Sequence, residues 1–193
     1  MDSPGAESNI PGIVRYGAVI LAFVIFGLMP LYWYSLKSVE STVILLHRAI
    51  WVSATLIPFV LIKSDLRKTV FLIKKNWHYL VVSSAALATN WFGYIYAINH
   101  GYVIEAGLAY YIAPILSIAL SLFFLKESIG RRQLAALVLV LFAIAFLLIA
   151  KGVIPLYALM IGASFALYGV LSRVMRFPAV ERLAVESFAL TIA

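Results

Sequence analysis

The stretch Asn90–Ser128 decides the fold: NWFGYIYAINHGYVIEAGLAYYIAPILSIALSLFFLKES. Two apolar runs meet in it at a short polar link, Asn99, His100 and Gly101, where Gly and Asn favour a turn. The first run extends back to Trp77, so each run has the ~20 residues that a helix needs to cross the hydrocarbon layer of a bilayer. The stretch therefore predicts two antiparallel transmembrane helices.

The rest of the chain repeats this apolar pattern. Of its 193 residues, 64% are hydrophobic and 12% are charged, whereas soluble domains have roughly 45–50% apolar and about 25% charged residues. Six blocks are long enough to span a membrane, at residues 16–36, 42–62, 77–98, 105–125, 134–150 and 155–171. A further apolar run, 183–193, is too short to cross as a helix. We therefore expect an all-α polytopic membrane protein with about six complete transmembrane helices and the start of a seventh.

Basic residues fall on one side of this predicted arrangement. Twelve of the 15 Lys and Arg residues lie on the N-terminal side, two lie on the opposite side, and Arg48 lies inside a span. Because short basic loops stay in the cytoplasm, we expect a cytoplasmic N-terminus, with 63–76 and 172–182 as cytoplasmic loops. Residues 1–14 are polar and read as a disordered cytoplasmic tail. The net charge of +7 then belongs to loops, so the expected partner is the lipid bilayer and not a nucleic acid.

Motifs for catalysis are absent from the sequence. It contains no Gly-rich phosphate loop, no HExxH metal motif, no G-x-S-x-G elbow and no cysteine. His100 and Glu105 are five residues apart across a turn, which is a weak arrangement for a metal pair. We therefore expect no enzyme, no cofactor and no metal site, and a small-molecule substrate as the ligand.

Two six-residue segments align without gaps, AFVIFG at 22–27 and SFALYG at 164–169. The alignment makes the sixth span a counterpart of the first. Because an odd number of spans, five, separates the two starts, the repeat would be inverted in the membrane, as in many transporters.

Arg48 and His47 lie within the second span. An ionisable residue there costs ~2.5–3.5 kcal/mol on insertion scales and normally faces a bundle interior or a watery cavity. Arg48 shares one helix stripe with Trp51 and Thr55, which fits a substrate path; the alternative is that Arg48 snorkels to the headgroups. His47 lies about 100° round the helix, where it would carry a proton or hydrogen-bond a neighbouring helix.

Polar residues also occur in the opening stretch. Asn90 and Tyr94 share one face of the third span, and Trp91 is beside them. An amide at this depth either meets substrate or bridges helices. Glu105 opens the fourth span, where its carboxylate either stabilises the helix N-terminus or pairs with Arg48, since each charge would relieve the burial of the other.

These spans carry a recognisable pattern. It consists of His47-Arg48 with Trp51, Asn90-Trp91, Ala97-Ile98-Asn99, Glu105-Ala106, Ala109-Tyr110-Tyr111-Ile112, Pro114 and Glu127. The pattern resembles the EamA-type drug/metabolite transporter superfamily, specifically its RarD-like branch, and the likeness covers nearly the whole chain from Tyr16 on. Lys126-Glu127-Ser128 departs from it, because the family usually has Gly-Glu at this connection.

The resemblance implies a bacterial inner-membrane carrier of ten helices in two inverted five-helix repeats, with substrate held centrally. Residues 15–150 would form the first repeat, and 151–193 would be a truncated start of the second. Either the sequence ends before the bundle is complete, or a partner such as a second copy of the chain, as a homodimer, completes it. Glu186 would take the second-repeat position that corresponds to His47, as a second intramembrane acid.

The sequence thus predicts a multi-pass secondary transporter, an exporter of small organic metabolites or drugs that works by alternating access. The residues expected to bind substrate are His47, Arg48, Asn90, Trp91, Asn99, Glu105, Tyr110 and Glu186. A channel-like pore and a membrane-embedded enzyme are the alternatives. A channel would need a continuous polar stripe, and an enzyme would need a convergent acid and base.

Overall fold

A computed structural model describes residues 12–125, 130–151 and 155–192 of the chain. Every regular element within these residues is helical, which confirms the expected all-α fold. The elements are α1 (Gly12–Ser35), α2 (Ser41–Lys63), α3 (Leu66–Asn99), α4 (Val103–Leu120), α5 (Arg131–Lys151), α6 (Leu156–Met175) and α7 (Ala179–Ile192), with a π-helical turn, Ser121–Leu125, after α4. Residues 1–11 of the predicted tail, Lys126 and Glu127 lie outside the described residues.

Four of the described helices are long and apolar enough to cross a bilayer, in the stretches Tyr16–Ser35, Ser41–Lys63, Val103–Phe124 and Leu156–Met175. Helices suit this environment because their own hydrogen bonds satisfy the backbone polar groups that lipid cannot. The chain is therefore a polytopic membrane protein. The count of six complete spans and the ten-helix repeat stay predictions.

Helix α3 begins at Leu66, well before the predicted third span, so the loop predicted at 63–76 is wrong for most of its length. The Asp65 side chain caps the helix, accepting hydrogen bonds from the backbone N–H groups of Arg67 and Lys68 at 3.0 and 3.2 Å. The buried residues of the segment recur at the spacing of one helix face: Thr69, Asn76 and Leu80. The segment is therefore an amphipathic extension of α3, with its basic residues exposed.

Helix α6 packs against both α3 and α4. Glycine permits this close approach on each side. A Cβ atom at Gly162 would lie 3.0 Å from Ile112 Cγ2 and 3.3 Å from the carbonyl oxygen of Ala109. A Cβ atom at Gly93 would lie 3.1 Å from Ile161 Cγ1. Small residues allow close packing of helices in membranes, so α3, α4 and α6 form the packed centre of the molecule.

Helix α7 packs against α2 and α3. The chain leaves α6 at Arg176, whose φ of 47° is the left-handed conformation common at helix C-termini. Helix α7 then begins at Ala179. The predicted placement of Arg182 in a cytoplasmic loop is wrong, because the helix starts before the apolar run and Arg182 is buried within it.

Candidate functional site

A cavity of about 630 Å³ lies between α1 and α2, within the ~300–1,000 Å³ range of small-molecule sites. Most of its lining is apolar or aromatic, and the aromatic members are Tyr32, Trp33 and Trp51. His47 and Arg48 are its polar members. We call this space the Arg48 cavity. Its lining includes two of the predicted site residues and part of the predicted stripe on α2.

Arg48 lies against aromatic rings. Its guanidinium carbon is 4.0 Å from the centroid of the Trp91 ring and 5.7 Å from that of the Trp33 ring. Both distances are within the ~6 Å range of cation–π attraction, and both tryptophans are buried. The structure therefore brings together Arg48 and Trp91, two residues predicted to bind substrate.

A pair of tyrosines adjoins Arg48. Tyr110 of α4 meets Tyr94 of α3 edge to face, with ring centroids 5.8 Å apart, and both tyrosines lie near Arg48. Polar and aromatic residues from α2, α3 and α4 thus converge around one guanidinium group. Three of the predicted site residues, Arg48, Trp91 and Tyr110, belong to this region.

The predicted ion pair between Glu105 and Arg48 is wrong. Glu105 Oε2 accepts a hydrogen bond from the backbone N–H of Tyr157 at 3.0 Å, in the first turn of α6. Because a helix N-terminus has unpaired N–H groups and a partial positive charge, the carboxylate finds its partner there. Across residues 12–125, 130–151 and 155–192, no carboxylate forms an ion pair with Arg48.

Asn90 bridges two helices of the packed centre. Its side-chain Nδ2 donates a hydrogen bond to the carbonyl oxygen of Ile161 at 3.0 Å. This contact lies beside Gly162, where α6 also approaches α4 closely. Asn90 does not line the Arg48 cavity. Of the two roles that the sequence allows, substrate contact and a bridge between helices, the observed hydrogen bond is the bridge.

Asn99 lines a second cavity of about 390 Å³, between the α1–α2 connection and the C-terminal end of α3. The Asn99 amide and the Ser41 hydroxyl are buried at this cavity and form no hydrogen bond with the described residues. Buried polar groups normally have partners, so this space is suited to water or another polar group. Val39 lines both cavities, which makes them neighbours.

Glu186 belongs to a buried group of four side chains, Ser83, Tyr168, Arg182 and Glu186, which we call the Glu186 cluster. Glu186 is 0% exposed. Its carboxylate accepts hydrogen bonds from the hydroxyl groups of Ser83 at 2.5 Å and Tyr168 at 3.0 Å. Arg182 Nε lies 3.7 Å from the same carboxylate, an ion pair too long for a hydrogen bond, and Arg182 Nη2 donates to the Tyr168 hydroxyl at 3.3 Å. The cluster joins α3, α6 and α7, and Glu186 lines neither cavity.

Two of the residues in these regions were not expected from the sequence. Trp33 lies in the run Tyr32-Trp33-Tyr34, which also fits an aromatic belt at the membrane interface. Tyr32 and Tyr34 are exposed, whereas Trp33 is buried. Arg182 stands four residues before Glu186, the spacing of an ion pair on one helix face. That spacing was a usable signal, whereas nothing in the sequence marks which ring of the aromatic run is buried.

The convergence around Arg48 is suited to binding more than to reaction. It offers a fixed positive charge, aromatic surfaces and phenolic hydroxyls. A reaction would need a nucleophile or a base held within hydrogen-bond reach of it. In the part of the chain that the structure describes, no group of three His, Asp or Glu residues is placed to hold a metal ion.

Known proteins are similar to most of this chain. The EamA-like transporter family matches residues 15–149. An uncharacterized transporter of Bacillus subtilis (strain 168), YojE, is 37% identical over 184 residues, which is 91% of this chain and 60% of that protein. The RarD proteins of Streptomyces exfoliatus and Escherichia coli (strain K12) are 31% and 30% identical, over 88% and 87% of this chain and 54% and 57% of their own lengths. No solved structure matches the chain significantly.

The chain thus spans a little over half the length of these relatives. The family match covers well over half of this chain, and the relatives it resembles carry transporter or RarD names. The protein therefore belongs to the EamA-like transporter family, in its RarD-like branch.

Proposed function

We propose that the protein is a secondary transporter of small organic metabolites or drugs that works by alternating access at the Arg48 cavity. The observation that carries this proposal is the Arg48 cavity itself. The cavity has a volume of about 630 Å³ and lies between two helices that are long and apolar enough to span a bilayer. An ionisable residue at this depth normally faces a pathway or a watery interior. Export is the expected direction, because the likeness to drug/metabolite transporters implies it.

The packing of the helices supports a moving part and a fixed part. In α1, only 6% of the most apolar stretch is buried inside the protein. In α6, 44% of the corresponding stretch is buried. Helix α6 is held between α3 and α4 through Gly93 and Gly162. Displacement of α1 relative to α2 and this centre would open and close the Arg48 cavity, which is a gating movement of the kind that alternating access requires.

The proposed whole assembly has ten helices in two inverted five-helix repeats. The aligned segments 22–27 and 164–169 lie in α1 and α6, five helices apart, and the family match at 15–149 supports a first repeat of 15–150. Residues 151–193 would then start the second repeat, and a homodimer is the alternative way to complete the bundle. We place the protein in the bacterial inner membrane with its N-terminus in the cytoplasm, as the charge pattern favours.

The test is transport by proteoliposomes that contain the 193-residue chain. They are loaded with a bacterial small-molecule extract, and mass spectrometry follows which compounds leave the lumen with time. We expect a limited set of compounds to leave faster than from protein-free liposomes. Arg48→Gln should reduce that rate at least about tenfold, because it removes a charge-assisted contact to the substrate.

Arg67→Gln is the matched control, since Arg67 is exposed in the first turn of α3. It should leave the rate unchanged. Absence of any protein-dependent efflux in the wild type would contradict transport by this chain. Ion currents at channel rates would favour the pore, and chemical conversion of a loaded compound would favour the enzyme.

A further inference from the structure

The Arg48 cavity has an unbalanced charge. Arg48 is the fixed charge of its lining, His47 is another polar member, and no Asp or Glu among the described residues lines it. Glu105, the carboxylate expected to balance Arg48, is bound instead to the N-terminus of α6. Lys37 and Glu40 line the neighbouring second cavity, where one positive and one negative charge are therefore present. The lining of the Arg48 cavity is thus positive.

The donors of Arg48 are also unused. A guanidinium group carries five N–H donors in a planar fork that matches an oxyanion in two places. Arg48 contacts Trp91 and Trp33 through their ring faces, and none of the described residues accepts a hydrogen bond from it. A ring face attracts the charge but does not accept several directed hydrogen bonds. The fork is therefore free to hold a ligand.

The remaining lining favours a particular ligand body. Trp33, Trp51 and Tyr32 present aromatic surface to the cavity, and the other members are largely aliphatic. Small-molecule sites typically combine such apolar walls with a few polar groups that fix orientation. Here one end of the ligand would meet Arg48, and the rest would lie against the aromatic rings.

We propose, on the basis of the transport function above, that the Arg48 cavity binds organic anions. The anionic group, a carboxylate, sulfonate or phosphate, pairs with Arg48, and an aromatic or apolar body fills the space beside Trp33 and Trp51. The cavity discriminates by charge at one end and by apolar contact at the other. Neutral analogues of the same shape bind less tightly because they leave the fork without a charged partner.

The experiment compares matched acids and amides on the full 193-residue chain in lipid nanodiscs. The pairs are phenylacetate and phenylacetamide, 3-phenylpropanoate and 3-phenylpropanamide, and 1-naphthylacetate and 1-naphthylacetamide. Binding is measured by scintillation proximity with labelled compounds. In at least one pair the acid should bind about tenfold or more tightly than its amide, since the hydrogen bonds that it forms are charge-assisted.

Substitutions test whether the preference for the acid over its amide arises at Arg48. Arg48→Gln should abolish the preference for the acid, Arg48→Lys should retain a part of it because Lys keeps the charge without the fork, and Arg67→Gln should leave it unchanged. Equal binding of acid and amide in every wild-type pair overturns the proposal. So does a preference that survives unchanged in Arg48→Gln.

Lipid phosphate is the other source of an oxyanion near Arg48, and a second arm separates the two sources. The same pairs are measured in nanodiscs of phosphatidylcholine and in nanodiscs rich in phosphatidylglycerol. The acid preference should be present in both. A preference that vanishes with phosphatidylglycerol would assign Arg48 to lipid headgroups. Efflux of neutral compounds without any acid preference would overturn only the anion site, and an acid preference without efflux would overturn only the transport function.

Discussion

Arg48 and Arg182 both lie within helices of this protein, and their surroundings differ. Arg182 of α7 is 7% exposed and has a carboxylate 3.7 Å away, together with the Tyr168 hydroxyl at 3.3 Å. Arg48 of α2 has the ring of Trp91 at 4.0 Å and a cavity in front of it. Arg182 has a carboxylate and a hydroxyl of the protein beside it, although its Nε forms no hydrogen bond with the described residues, whereas Arg48 is bordered by aromatic rings and a cavity.

The difference shows that a charge buried among helices does not by itself mark a binding site. In the Glu186 cluster the carboxylate accepts hydrogen bonds from two hydroxyl groups and has Arg182 beside it, so these polar side chains contact one another across α3, α6 and α7. Around Arg48 the cation–π contacts offset part of the cost of burial without occupying the N–H donors. The first arrangement is suited to holding helices together, and the second to binding.

The largest effect on stability is expected from Glu186→Ala. The change leaves the Arg182 guanidinium buried without its counter-ion, and removal of one partner of a buried pair costs about 3–5 kcal/mol. The free energy of unfolding is measured by titration with sodium dodecyl sulfate in mixed micelles. Glu40→Ala, at an exposed carboxylate, is the control and should change it little.

A double variant sharpens this result. Adding Arg182→Met to Glu186→Ala removes the uncompensated charge, so the double variant should be more stable than Glu186→Ala alone. Strictly additive losses from the two changes would show that Arg182 and Glu186 are not coupled. The Glu186 cluster would then not be the closed unit that its contacts indicate.

A smaller effect is expected at the hydrogen bonds of the Glu186 cluster. Ser83→Ala removes one donor to Glu186 and should cost about 0.6 kcal/mol, and no more than about 1.7 kcal/mol, the range measured for such bonds between membrane helices. Ser84→Ala is the matched control, because Ser84 is the next residue of α3 and its hydroxyl bonds to none of the described residues. Equal losses from both substitutions would argue against a stabilising role for the Ser83 contact.

The helices could be predicted from the sequence where hydropathy alone sets their bounds, as in α2 and α4. The start of α3 could not, because the basic segment from Leu66 has the composition of a loop. Its cap at Asp65 and its helical spacing were signals that composition obscured. The same reason hid Arg182, which was counted with the loop charges although it lies four residues before Glu186 on α7.

The candidate site could be predicted only in part. Arg48 was identifiable because a charged residue inside an apolar span requires an explanation, and Trp91 was identifiable because it stands beside Asn90 in the pattern of the family. The partner of Glu105 was not, because the approach of the α6 N-terminus is a result of packing at Gly162 and Gly93 and not of any local pattern. Asn99 and Glu186, expected in the same site as Arg48, lie in other surroundings for the same reason.

The smallest effect on stability, and the sharpest test of the comparison, is expected when the same substitution is made at both arginines. Arg48→Gln loses cation–π contacts worth about 0.5–2 kcal/mol but removes a charge whose insertion costs ~2.5–3.5 kcal/mol, so the free energy of unfolding should stay within about 1 kcal/mol of wild type or rise slightly. Arg182→Gln instead leaves Glu186 buried without a counter-ion and should be clearly destabilising. The two variants are compared by the same detergent titration. If Arg48→Gln destabilises the protein as much as Arg182→Gln does, Arg48 holds the fold together, and its free donors are not reserved for a ligand.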